Sequence, residues 1–155
     1  MGFIAETARI ALAGIAAVAL VSLTIYMISR LFPAEPAIYF ILWALVAIPA
    51  TLMVIGAIVG RTAYFACLGP NKSVASSAAI ALLSAAGGIA LWLLLAGGLL
   101  GTAGFLGPYL ENLNMAGYVE LAAVMVMYAL AGAIGGIVDY FISRGRKCDI
   151  PRAGR

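Results

Sequence analysis

The chain has 155 residues, of which 65% are hydrophobic and only 10% charged, with a mean hydropathy of +1.13. Soluble domains carry about a quarter charged residues, and a water-soluble fold of this length cannot hide so much apolar surface, whereas lipid accepts helices that are apolar on the outside. The formal charge of +3 sits mostly in short segments beside apolar runs, so it is not read as nucleic-acid affinity; the absence of histidine excludes His-ligated haem, His-ligated zinc and His general bases.

Taken in chain order, four runs are long enough to cross a bilayer, which requires roughly 20 mostly apolar residues. The first, 10–29, is uncharged and too long for a signal-peptide core, so it is read as a retained span. The link that follows contains Pro33 and Pro36; neither continues the incoming helix, and Pro36 suits the start of the next. The second run, 37–60, contains Pro49, which predicts a kink. A turn signal at Gly69-Pro70-Asn71 precedes the third run, uncharged from 74 to 110. Gly101, Gly104, Gly107 and Pro108 predict that this span ends between 101 and 107, with an interfacial stretch up to Asn114. The fourth run, 115–142, is interrupted by Glu120 and Asp139.

Backbone polar groups must be satisfied inside lipid, which leaves helices or a closed barrel. These runs are apolar on every face and lack the period-two alternation of barrel strands. The predicted fold is an all-α integral membrane protein. It has four transmembrane helices in two antiparallel hairpins, spanning about 10–31, 37–60, 75–101 and 116–142. These form a single membrane domain, and 143–155 is a basic cytoplasmic tail.

Orientation follows from Lys and Arg in short loops. Four spans put Arg9, Arg61, Lys72, Arg144, Arg146, Lys147, Arg152 and Arg155 on one side and only Arg30 on the other. The crowded side is therefore read as cytoplasmic, with both termini inside, most naturally in a prokaryotic cytoplasmic membrane. Cys67 and Cys148 then face a reducing compartment, as two free thiols. Arg144, Arg146 and Lys147 are read as a membrane-surface cluster drawn to anionic headgroups. Arg30 is expected to meet Glu35 or Glu111. Tyr39, Trp43, Tyr109, Tyr118 and Tyr140 lie near span ends, as an aromatic belt requires, and Trp92 lies deeper, as a packing residue.

Lipid removes the hydrophobic drive between spans, so close packing of small residues and interhelical hydrogen bonds must replace it. Ser77, Ala81, Ser84 and Gly88 fall in one narrow sector of the third span. Gly132 and Gly136 are spaced four apart in the fourth, Gly97 and Gly101 in the third, and Gly56 and Gly60 in the second. These are the candidate packing faces, whether toward another span, another subunit or a second copy of the chain.

Glu120, with Tyr118 and Tyr128, forms the candidate intramembrane polar site. A carboxylate near mid-bilayer costs on the order of 2.5–3.5 kcal/mol, and much less near the interface. Glu120 thus reads either as a proton or cation site, or as a residue just under the surface that fixes a contact. Asp139 reads as a local partner for nearby cations. No paired carboxylates, Gly-x-Ser-x-Gly, P-loop or Cys/His cluster is present, so no catalytic residue, metal or cofactor is assigned. The expected function is that of a non-catalytic accessory or structural subunit of a larger membrane complex. The alternative is a small homo-oligomeric transporter or channel using Glu120. The expected partners are the lipid bilayer and other membrane subunits or copies of the chain.

Overall fold

A computed structural model describes residues 3–32, 35–62, 69–99 and 115–142, all of whose regular structure is helical. The elements are α1 (Phe3–Leu31), α2 (Pro36–Ile41), a π-helical stretch (Leu42–Ala47), α3 (Ile48–Arg61), α4 (Pro70–Leu99) and α5 (Met115–Ile142). α2, the π-helical stretch and α3 follow one another without a break. The apolar spans are Ile4–Leu31, Ala37–Arg61, Pro70–Leu95 and Val119–Ile142, of 28, 25, 26 and 24 residues. At 1.5 Å per residue each is longer than the ~30 Å hydrocarbon core. The chain has four helices long and apolar enough to cross a membrane, and their composition suits a lipid bilayer.

Local chemistry sets the helix ends. Glu35 is extended, with φ −58° and ψ 129°, and Pro36 opens α2, where its missing N–H costs nothing. Thr62 leaves α3 with an extended backbone. Gly69 has φ +93°, a left-handed value that glycine adopts without strain, and α4 begins at the next residue, Pro70.

The longest interfaces run between α3 and α5, between α1 and α4, and between α4 and α5, with a further contact of α3 on α4. Around the bundle the order is α1, α4, α5 and then the α2–α3 rod. The inward side of α4 is built mainly from small and hydroxylated residues. In α4, Ser73, Ser77, Ala81 and Ser84, at helical steps of three and four, are fully buried, together with Ala85 and Trp92. Ile48, Leu52 and Trp92 fill the core, but many other large apolar residues point outward: Leu20 is 64% exposed, Leu94 74% and Ile142 75%. In water this arrangement would cost about 25 cal/mol for each Å² of apolar surface left exposed. In lipid that penalty vanishes, and close approach of small residues becomes the main source of cohesion.

Candidate functional site

The most specialised backbone in the bundle lies just before Pro49. The proline ring cannot sit against the carbonyl four residues back, and proline has no N–H to donate. The helix responds by widening to π geometry over Leu42–Ala47, so the kink expected from Pro49 takes the form of a π-helical stretch. Ile48 N–H consequently bonds to the Trp43 carbonyl, five residues back, rather than to Ala44. The next residue that could serve Ala44 is Pro49, which has no hydrogen. The Ala44 carbonyl is thereby freed, and the Tyr128 hydroxyl of α5 donates to it at 3.1 Å. Tyr128 is 1% exposed, so this bond joins two spans in a dry interior.

One residue earlier, Trp43 ties the same stretch to α1. Its Nε1 donates to Ser22 Oγ at 2.8 Å, and Ser22 Oγ donates to the Val18 carbonyl at 2.8 Å. The Trp43 ring lies 5.6 Å from that of Trp92, which meets Tyr26 edge-on at 6.4 Å, a favourable arrangement for the ring quadrupoles. Above this cluster Arg30 donates to the Tyr26 hydroxyl from Nε at 3.2 Å and Nη2 at 3.1 Å, with its guanidinium 5.5 Å from the ring centroid. Among the described residues Arg30 thus finds a partner on its own helix, one turn back; Glu111, the other carboxylate expected beside it, lies outside the described residues. Trp43 and Tyr39 are buried within the bundle, and the Tyr39 hydroxyl donates to the Phe32 carbonyl. The Trp43 indole N–H therefore serves the interior rather than a headgroup, whereas the Tyr39 hydroxyl ties down the chain just past the end of α1.

The other end of the bundle is held by glycine. A methyl group on Gly56 would land on the carbonyl of Gly132, and one on Gly60 would come within 2.6 Å of the Gly136 carbonyl. Gly135 lies equally close to the Met53 carbonyl. α3 and α5 therefore cross backbone to backbone, through a four-residue glycine spacing on each. From α4, Ser77 and Ala81 close over the same crossing: Ala81 Cβ faces Gly132, and Ser77 Oγ lies beside Gly136. Ser77 Oγ donates to the Ser73 carbonyl at 2.9 Å and is 3.4 Å from the Gly56 carbonyl. Further along α4, Ser84 faces Gly14 of α1 and Gly88 faces Val18.

The structure thus brings Ser77, Ala81, Gly132 and Gly136 together in one junction and sets Ser84 and Gly88 against α1. It does not bring Glu120 to Tyr128. Glu120 is exposed on the flank of α5, and the residues around it, 119–123, are exposed throughout. Tyr118 belongs to α5 and Gly97 to α4; Gly101, Arg144, Arg146, Lys147, Cys67 and Cys148 lie outside the described residues, as does the stretch 100–114. Sequence reasoning did not pair Ser22 with Trp43 or Ala44 with Tyr128. The available signal was Pro49 in mid-span, which frees a carbonyl, together with a tyrosine in mid-span elsewhere.

Among the described residues, no three His, Cys, Asp or Glu side chains gather as a metal site would require. Around the two tryptophans, Trp43 bonds to Ser22, Ser22 to the Val18 carbonyl and Arg30 to Tyr26, an arrangement suited to fastening helices at fixed register. No family model, no curated protein and no solved structure matches the chain.

Proposed function

We propose that the chain is a non-catalytic accessory or structural subunit of a larger membrane complex, N-in and C-in, with its four spans as two antiparallel hairpins. The orientation rests on eight cations against one across the short loops and tail. One observation carries the functional reading: Glu120 stands outward on α5, in a stretch 119–123 with no buried side. Trp43, Ser22 and Tyr128 spend their polar atoms inside the bundle, but this carboxylate is offered to the surroundings beside Val119 and Leu121, which are 71% and 48% exposed. A neighbouring span that supplies a hydrogen-bond donor, with small residues to match Ala122 and Ala123, would cover both the charge and the uncovered helix. Pro49 is buried, and the carbonyl it frees is capped by Tyr128.

The test is photo-crosslinking from position 123 in native membranes, combined with the mass of the gently solubilised complex. A discrete crosslink to another membrane chain, weakened in Glu120→Gln, is expected. A chain that crosslinks only to lipid and migrates as a monomer defeats the reading.

A further inference from the structure

A groove of about 310 Å³ runs between α1 and α3 on the flank of the bundle. Its origin lies in how the spans are fastened. Trp43 and Ser22 hold the α2–α3 rod against α1 at one end. Further along, the Gly56 and Gly60 crossings draw α3 onto α5, while Gly14 and Ser84 seat α1 on α4. α1 and α3 meet where the Ile55 side chain reaches Gly14, and beside that contact the gap is walled mostly by small or aliphatic residues, Ala13 and Ala17 on one side and Val54 and Ile58 on the other, with Thr51 and Thr62 also lining it. From Arg9 to Ala17 the groove follows α1 for about 12 Å at the helical rise. Both a cation and an anion, Arg9 and Glu6, line its end. α1 has 29 residues, about 43 Å at the helical rise against a hydrocarbon core of about 30 Å, which leaves room for the charged first turns to reach headgroup depth.

We propose that this groove holds one phospholipid whose headgroup carries a primary ammonium, of the phosphatidylethanolamine class. The apolar walls accept an acyl chain. Arg9 donates to the phosphate with the fork geometry suited to it. Glu6, one turn away on the same helix face, accepts from the ammonium. An anionic headgroup would satisfy Arg9 but face Glu6 with like charge. A choline headgroup has no N–H to give Glu6. The paired charges thus select a zwitterion with a hydrogen-bonding cation.

The experiment uses the full chain in nanodiscs containing equal parts of phosphatidylethanolamine, phosphatidylcholine and phosphatidylglycerol with identical acyl chains, followed by native mass spectrometry of retained lipid. One phosphatidylethanolamine per chain is expected, favoured over phosphatidylcholine by about threefold, the scale of one exposed ion pair. Glu6→Gln should erase that preference, and Arg9→Gln should lower retention of all three lipids. Ala13→Leu with Ala17→Leu fills the slot and should empty it; Ile58→Phe fills it from the opposite wall should the double variant misfold by circular dichroism. Equal retention of ethanolamine and choline lipids overturns the proposal. So does preference for phosphatidylglycerol, or undiminished retention in the filled variants, either of which marks the bound lipid as annular.

Discussion

The bond from Tyr128 to Ala44 exists, by the argument above, because Pro49 removes a donor, and this coupling can be measured. In Tyr128→Phe the ring remains and the hydroxyl is lost. Interhelical hydrogen bonds in membranes average about 0.6 kcal/mol and reach about 1.7. A buried acceptor left without a donor costs about 1–3 kcal/mol. Ala44 is 2% exposed and its helical donors are gone, so water does not rescue it and the upper part of the range applies. We expect a loss of about 1–2 kcal/mol. In Pro49→Ala the N–H returns, and the Ala44 carbonyl regains a backbone donor, either from Ile48 in α geometry or from residue 49 in π geometry. Tyr128→Phe should then cost about 0.5 kcal/mol or less, giving a coupling near 1 kcal/mol, within the range for residues in direct contact. The assay is reversible unfolding in mixed micelles of the two single variants, the double variant and the parent. Isotope-edited infrared spectroscopy of the Ala44 carbonyl gives an independent reading: its stretch should rise on loss of the hydroxyl only when Pro49 is present. If Tyr128→Phe costs the same in both backgrounds, the link between Pro49 and Tyr128 is wrong.

Two further substitutions probe the fastenings at either end. Gly56→Ala gains about 1 kcal/mol of helix propensity, but the new methyl meets the Gly132 backbone, which has no rotamer to yield, and overpacking costs about 1–3 kcal/mol. A net loss of up to about 2 kcal/mol is expected in mixed-micelle unfolding, and a stabilised variant would show that the crossing is looser than described. Ser22→Ala strips the Trp43 indole of its acceptor at little change in volume, and should cost about 0.6–1.7 kcal/mol and shift tryptophan emission to the blue. An unchanged spectrum would place the indole elsewhere.

How far the sequence could be read differed from residue to residue. The spans were legible because each satisfies a length and polarity requirement set by the bilayer, and Pro36 and Gly69 marked two helix boundaries through their own backbone geometry. Pro49 announced a disturbance, though not its form: a proline can be met by a bend or by an inserted residue, and what packs against the freed carbonyl decides which. Trp43 resembled a belt residue because its position near a span end is visible, whereas Ser22, 21 residues earlier, becomes its acceptor only when the two spans lie side by side. Glu120 and Tyr128 were grouped because both are polar and share a span. Eight residues on a helix separate them by about 12 Å and by more than a fifth of a turn, enough to put one outside and the other in the core.

From its sequence alone the protein was bound to be helical and to live in lipid, since no other arrangement satisfies so many backbone amides amid so few charges. Which small residues meet which was settled only in three dimensions. Gly56 and Gly132 are distant in the chain, and their backbones touch because neither has a side chain to hold the helices apart. That approach seats α3 on α5, a pairing of helices that linear spacing does not encode.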